Sequence, residues 1–524
     1  VICEKAISDM LHYITPIWRA HDRALPKLAT AFPRSFREVF YNLLVVTMDS
    51  LSSTLTLPVA LRMSKGYILL LLLFNCLRDT EGIVASRASV VSRKRIVIVG
   101  GGPVGLYFAA LMKHKDSTAE IQIFEKKAAG TINAFGLGVG DRMQNRLTDV
   151  PGLKEQAISI SSTIESLGIP LVSRDDLTQQ MSQFLLDNTN CKLTTGESCE
   201  SVDFDRRQIT TSNGRNIQYD LLLAADGVNS RIRRQLVEQH GFQEEHYLED
   251  INWKALKLPK QSDLTTGSFK PLQHPSIRGG RVLPKAPEGH ILLLFWKPNG
   301  SDNPNGIDST EDLKLMITEG LNDKKKMRMN PVRKIVGLEK GDSVKKDRIL
   351  TFDEAALKEC FNARVGRVHH LQIPKYHYQN SVALIGDSAH SFNSLLGQGC
   401  ATGFESAHTL VESLTSSSNL SEALSTYTRV ASAEAHAMTE LSLISYALSP
   451  ANILMALKVF SLILWNMMRG RGFLKHIRDI TVPFSKIAAE NRCLLKICRL
   501  QFEKQRLLFT GFPKPQASPA GNPL

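Results

Sequence analysis

The stretch that most constrains this chain is Arg95 to Glu125, RIVIVGGGPVGLYFAALMKHKDSTAEIQIFE. Ile96, Val97, Ile98 and Val99 form a short unbroken apolar run, as in a strand buried on both faces of a parallel sheet. Gly100, Gly102 and Gly105 then give G-x-G-x-x-G, and Leu106, Ala109, Ala110 and Met112 continue at helical spacing. A second apolar run, Ile121 to Phe124, ends in Glu125, about 20 residues past the last glycine. A glycine motif alone marks only a turn. Strand, glycine turn, helix, strand and acid in this order predict a β-α-β unit that seats a dinucleotide. Its pyrophosphate would lie on the helix N-terminus and a ribose on the acid.

With 524 residues the chain is long enough for two or three domains. The net charge of +13 admits nucleic acid, an anionic membrane or an anionic cofactor as partner. Its lysines and arginines are scattered, with local clusters such as Lys324-Lys325-Lys326 and Arg231, Arg233, Arg234, and no basic stripe is interleaved with aromatics. Nucleic acid is therefore not expected. The eight cysteines are dispersed without C-x-x-C, and the 14 histidines make no H-E-x-x-H, so no metal is expected and the thiols read as reduced.

Residues 1–92 do not read as the start of a compact domain. The apolar run Lys65 to Phe74 is too short to span a bilayer comfortably but has the length of a signal-peptide core. Read from Met63 it is a targeting segment, with residues 1–62 an added extension; a buried helix fits the same composition. The Gly- and Ala-rich segment Lys126 to Gly140 reads as a loop, and Asp141 to Leu147 begins a helix. Ser173 is placed to cap a helix carrying Arg174 in its first turn, where the choice lies between meeting an anion and pairing with Asp175 or Asp176. Residues 191–219 predict a small antiparallel excursion turning at Ser212-Asn213-Gly214.

Two further loops carry chemistry. A buried strand within Tyr219 to Ala225 runs into Asp226-Gly227 and then a helix with Ser230 and Arg233. Another, within Ser381 to Ile385, ends in Gly386-Asp387, followed by Gly397-Gln398-Gly399 and a helix. Between them, short apolar stretches alternate with Pro- and Gly-rich turns and predict an antiparallel sheet. The expected organisation is a leader (1–92), a dinucleotide domain in two parts (93–244 and 371–425), an inserted sheet domain (245–370) and a helical region (426–524). The apolar stretch 451–468 reads as either a core helix or a membrane anchor.

G-G-G-P-V-G with Glu125, A-D-G-V-N-S-R-I-R and A-L-I-G-D-S-A-H…G-Q-G together resemble the class A FAD-dependent aromatic hydroxylases of the para-hydroxybenzoate hydroxylase fold. Val172 to Leu177, Ile385 to His390 and Gly397 to Glu405 are most similar to the kynurenine 3-monooxygenases. The resemblance covers roughly residues 93 to 450 and implies an α/β fold. In that fold a Rossmann-like FAD domain carries an inserted mixed or antiparallel sheet and a C-terminal helical region. It implies FAD on Gly100, Gly102, Gly105, Glu125, Arg174, Asp226, Gly227, Asp387 and Gly397-Gln398-Gly399. NADPH would reduce the flavin, and one oxygen atom from O2 would enter an aromatic small molecule. Catalytic side chains are not expected, because the flavin carries the chemistry.

Three positions depart from the pattern. Ser394 replaces a proline and Ala401 an asparagine. Val139 stands where the kynurenine hydroxylases have the arginine that holds the substrate carboxylate, which leaves nearby Arg142 as the candidate. The departures concern substrate more than cofactor. Two alternatives follow: an epoxidase or reductase of the same fold acting on an isoprenoid or quinone, and a non-catalytic flavin-binding protein. The apolar segments favour an organelle or membrane over the free cytoplasm.

Overall fold

A computed structural model of the chain describes residues 94–128, 136–164, 168–260, 270–284, 289–322, 350–363, 365–393, 396–444, 459, 461–463, 465–466 and 476–506. The expected leader, Ser394 and most of 451–468 lie outside them. The chain divides after Ser92, and every described element belongs to the unit Arg93–Leu524.

β1 (Arg95–Val99) and β2 (Glu120–Glu125) are parallel neighbours joined by α1 (Pro103–Lys115). Proline opens α1, where its missing N–H has no helical partner to lose, and Lys113, His114 and Lys115 close it against the negative end. Next come β3 (Gly136–Gly138), α2 (Asp141–Thr148), α3 (Leu153–Ala157), β4 (Ser162–Ile164), β5 (Ile169–Ser173) and α4 (Arg174–Asn188). The Ser173 hydroxyl accepts from the Asp176 N–H at 3.1 Å and caps α4 as expected. β3 corrects the expectation of a loop. It pairs with β5 in a three-stranded antiparallel sheet, and its glycines leave no periodicity by which the sequence could announce it.

β6 (Lys192–Thr195) returns to the first sheet. β7 (Cys199–Asp203), β8 (Gln208–Thr211) and β9 (Asn216–Gln218) form the antiparallel excursion, with Gly214 at φ +72 in its last turn. β10 (Leu221–Ala224) and α5 (Arg231–His240) follow. The inserted part contains β11 (Glu245–Leu258), β12 (Lys270–Leu272), β13 (Gly279–Pro284), β14 (His290–Trp296), α6 (Thr310–Asn322), α7 (Glu354–Asn362) and β15 (Gly366–Gln372). β16 (His377–Tyr378) and β17 (Val382–Leu384) rejoin the first sheet, and β18 (His390–Ser391) joins the second. α8 (Gly399–Ser416), α9 (Leu420–Ser442), α10 (Phe484–Glu490) and α11 (Arg492–Arg506) complete the described elements.

The first sheet has the order β16-β17-β10-β1-β2-β6 and is parallel except at β16. From β1 the chain winds to β2 and β6 on one side and to β10 and β17 on the other. Open α/β sheets bind ligands at such a switch point, beyond the strands' carboxyl ends. Continuous apolar runs form the central strands β1, β10 and β17 because both of their faces are buried.

The second sheet, β12-β13-β14-β11-β15-β18, alternates instead. Leu256, Leu292, Leu294 and Trp296 pack with α6 and α7, while Leu283, Ile291 and Leu293 pack against Leu171 of β5. The C-terminal helices build a third core in which Met438, Leu441, Phe484, Leu494, Cys498 and Phe502 surround Phe392, just after β18. Among the described residues no helix is long and apolar enough to cross a membrane, so the expected membrane association finds no support there.

Candidate functional site

Three loops leave the carboxyl ends of β1, β10 and β17 and meet at the switch point. Their glycines separate by what each one's missing Cβ would meet. Gly100 has φ +111, and a Cβ there would fall 2.2 Å from the Ala225 carbonyl oxygen. At Gly105 a Cβ would fall 2.4 Å from the Gly100 oxygen. Both glycines are demanded by the protein's own backbone. Gly102 is different: its φ is −76, and the nearest atom to a Cβ is Arg174 Nη2 at 3.7 Å. The fold has room for a side chain at Gly102, at the positive end of α1, and the sequence leaves that room empty.

Glu125 ends β2 beside this loop. Its two carboxylate oxygens accept from the backbone N–H groups of Gly101 (2.8 Å) and Lys127 (2.9 Å). Each oxygen retains acceptor capacity for a sugar hydroxyl. Lys127, which the sequence did not single out, is half-buried. Burial lowers its pKa first, and the Arg174 guanidinium lowers it further. Arg174 thus stands beside Gly102, with the Lys127 ammonium in electrostatic range of it. The signal in the sequence was only a basic pair after Glu125.

Asp226 Oδ2 accepts from the Arg231 N–H at 2.8 Å, and Ser230 Oγ from the Arg233 N–H at 3.0 Å, so both brace the start of α5. Gly227 has φ +80, with nothing within 4 Å of a Cβ. Burial raises the Asp226 pKa, opposed by the hydrogen bonds from Ser230 and Arg231, and its Oδ1 is buried without a partner. Arg233, 1% exposed, ties the second loop to the third. Nη2 donates to the Val228 carbonyl (2.7 Å), Nη1 to the Ser388 carbonyl (3.0 Å), and Nε to Glu244 (2.8 Å). Ser388 Oγ in turn donates to the Ala224 carbonyl at 2.6 Å.

In the third loop Gly386 has φ +57 and Gly397 φ +64. Asp387 is exposed, yet desolvation by the protein around it raises its pKa, and the charge of Arg174 pulls it back. Arg174 acts likewise on Cys400 in the first turn of α8, whose thiol burial pushes up to about 12. Arg174 therefore stands between the first and third loops. Gly399 is open around its Cβ position, and Gln398 Oε1 is buried without a partner at the head of α8. Gly403 lets α8 close on α1: a Cβ there would lie 2.6 Å from Val104.

Arg142, the candidate for a substrate's carboxylate, is placed elsewhere. It is 4% exposed and donates to the carbonyls of Ile477 (2.8 Å), His476 (3.4 Å) and Val482, with its guanidinium 4.0 Å above the Phe484 ring. It joins α2 to the C-terminal region. Val139 is fully buried. Ala401 is buried in α8, and Ser394 lies outside the described residues. Among the described residues no group of three or more His, Cys, Asp or Glu is placed to hold a metal ion.

The geometry fits an extended dinucleotide. An acid stands at one end, Arg174 stands beside an open glycine in the middle, and a glycine-rich helix start with an orphaned amide oxygen lies at the other. No family model matches the chain. Among curated proteins it is 22% identical over 344 residues to a kynurenine 3-monooxygenase of Dictyostelium discoideum, covering 60% of this chain and 69% of that protein. It is 23% identical over 362 residues to the chloroplastic zeaxanthin epoxidase of Spinacia oleracea, covering 61% of this chain and 47% of that protein. Among solved structures it superposes on 2-methyl-3-hydroxypyridine-5-carboxylic acid oxygenase with a TM-score of 0.52 and 17% identity, covering 70% of this chain and 95% of that one. These relatives and neighbours are flavin-dependent monooxygenases. The chain has the mixed α/β fold of the class A flavin-dependent aromatic hydroxylases, with a Rossmann-like sheet at its site.

Proposed function

We propose that the chain is an FAD- and NADPH-dependent monooxygenase that inserts one atom of O2 into an aromatic small molecule, in the manner of a kynurenine 3-monooxygenase. The observation that carries this is Gly102. The fold would admit a Cβ there at only the small cost of an N-cap alanine, and a ligand that approaches the backbone gives the stronger reason for glycine. The FAD pyrophosphate would lie there, on the α1 N-terminus, with Arg174 and Lys127 against its charge. Glu125 would accept the adenosine ribose hydroxyls. Asp387 would accept hydroxyls of the ribityl chain, and Gly397, Gln398 and Gly399 would border the isoalloxazine ring. Asp226 and Gly227 would shape the loop on the NADPH side. Bound FAD would supply the redox chemistry, taking a hydride from NADPH and activating O2. The chain's own part is to bind, orient and exclude water.

A second reading concerns the substrate. Val139 is apolar and buried, and Arg142 is committed to three carbonyls. Neither offers a partner for a carboxylate, which favours an uncharged ring or an isoprenoid, as for an epoxidase. A substrate screen tests both. NADPH oxidation should accelerate with the true ring compound, with O2 consumed and an oxygenated product formed. Kynurenine and an uncharged analogue belong in the same screen. A purified protein that is colourless and cannot be reconstituted with FAD would reject every flavin reading.

A further inference from the structure

β11 pairs regularly with β15 from Glu245↔Gln372 to Leu248↔His369 and again at Asn252↔Arg367. Between these points Glu249, Asp250 and Ile251 oppose Val368 alone, so β11 bulges. A bulge re-aims side chains, and here it inverts the usual order. Leu248 is 37% exposed, whereas Glu249 is 2% exposed. A buried carboxylate is costly unless it is held. Glu249 Oε1 lies 2.6 Å from His370 Nε2 and accepts from Asn393 Nδ2 at 2.8 Å. The His370 ring is stacked on Tyr247, with centroids 4.6 Å apart and planes 9° apart, and Phe502 of α11 lies 5.9 Å away.

Asn393 heads the short segment that ends in Gly397-Gln398-Gly399. Phe392 and Leu396, on either side of it, pack into the C-terminal core. Phe392 and Leu396 thus fasten this stretch to the C-terminal core, and the Asn393–Glu249 hydrogen bond reaches back to the bulge in the other sheet. We propose that Glu249 and His370 are positioning residues, which set through Asn393 where the Gly397–Gly399 backbone stands against a bound flavin ring. The proposal rests on the FAD reading above. It adds that the inserted sheet helps to hold the flavin in register and does not serve only to border the substrate.

The test uses FAD as probe, on the full chain and on Glu249→Gln, Glu249→Leu, Asn393→Ala and the Glu249→Leu/Asn393→Ala double variant. The readouts are FAD affinity, the visible circular dichroism of bound flavin, and the thermal midpoint of the apoprotein. Glu249→Leu removes the acceptor that His370 and Asn393 share and should weaken FAD about tenfold and alter the flavin dichroism. Asn393→Ala should show a similar loss, and the double variant should be no worse than either single. Glu249→Gln keeps Oε1 as the acceptor shared by Asn393 and His370, and should stay within about twofold of the parent. Unchanged flavin dichroism and affinity in Glu249→Leu and Asn393→Ala would overturn the proposal, and so would strictly additive losses. If Glu249→Leu does not fold, Asn393→Ala and Glu249→Gln decide by the same readouts. A parent chain that binds no FAD defeats the cofactor reading, and this one with it; a parent that binds FAD beside indifferent variants defeats this one alone.

Discussion

Replacing Arg233 by methionine keeps the apolar stem and removes the guanidinium that joins the second loop to the third. Three hydrogen bonds are lost, to Val228 (2.7 Å), Ser388 (3.0 Å) and Glu244 (2.8 Å). Glu244 is 22% exposed and can rehydrate, so little of the cost lies there. The two carbonyls face a guanidinium that is buried, and each orphaned acceptor costs about 1–3 kcal/mol. Together these give a loss of about 2–6 kcal/mol. Domains are typically stable by about 5–15 kcal/mol, so Arg233→Met should stand near the edge of folding. Urea unfolding of the apoprotein measures the loss, and an FAD titration of the folded fraction should show weaker binding, because Asp226 and Asp387 lose their common tie. A variant within about 1 kcal/mol of the parent at equal m-value would refute the reasoning.

Arg142→Met should lower apoprotein stability by about 2–4 kcal/mol and speed proteolysis around residues 476–490, while FAD affinity holds; a specific loss of substrate binding at unchanged stability would return Arg142 to a substrate role. His390, 1% exposed, has its pKa pushed down to about 3, chiefly by burial and then by His436. A depressed pKa gives stability that is present above the ordinary value of 6.5 and is lost as pH falls towards 3. His390→Phe should therefore flatten the acid limb of a stability–pH curve by up to about 1.4 kcal/mol per pH unit, and an unaltered limb would count against the buried neutral ring. Asp387 has a raised pKa, so its contribution to apoprotein stability is present below the ordinary value of 3.8 and is lost as pH rises through the folded-state value. Asp387→Asn should raise the apoprotein melting temperature at neutral pH, a gain that vanishes in acid, and should weaken FAD; a lower melting temperature at neutral pH would contradict the assignment.

What the sequence disclosed was local. β1, β10 and β17 are continuous apolar runs, each followed by a glycine turn, and such runs name a parallel sheet without any partner in view. Ser173 announced its helix by cap chemistry alone, whereas the same role of Ser230 emerged only from the structure. What stayed hidden depends on partners far along the chain. Arg142 looked like a substrate residue because nothing near it mentions the carbonyls of residues 476–482. β3 has no pattern of its own and exists through β5. The bulge that turns Glu249 inward follows from register, and register is a property of two strands. The motif placed Gly102 at the pyrophosphate, but only the folded backbone shows that the fold itself leaves room for a Cβ there.

The most direct measurement is therefore FAD binding by Gly102→Ala, read beside apoprotein stability. A Cβ at this position meets nothing closer than Arg174 Nη2 at 3.7 Å, and the φ of −76 suits any residue. Alanine at a helix N-cap costs about 1 kcal/mol or less relative to glycine, so the apoprotein should melt nearly as the parent does. FAD affinity should fall tenfold or more, as a methyl group occupies the place where the pyrophosphate meets the backbone. Undiminished FAD binding in Gly102→Ala would contradict the account at its centre.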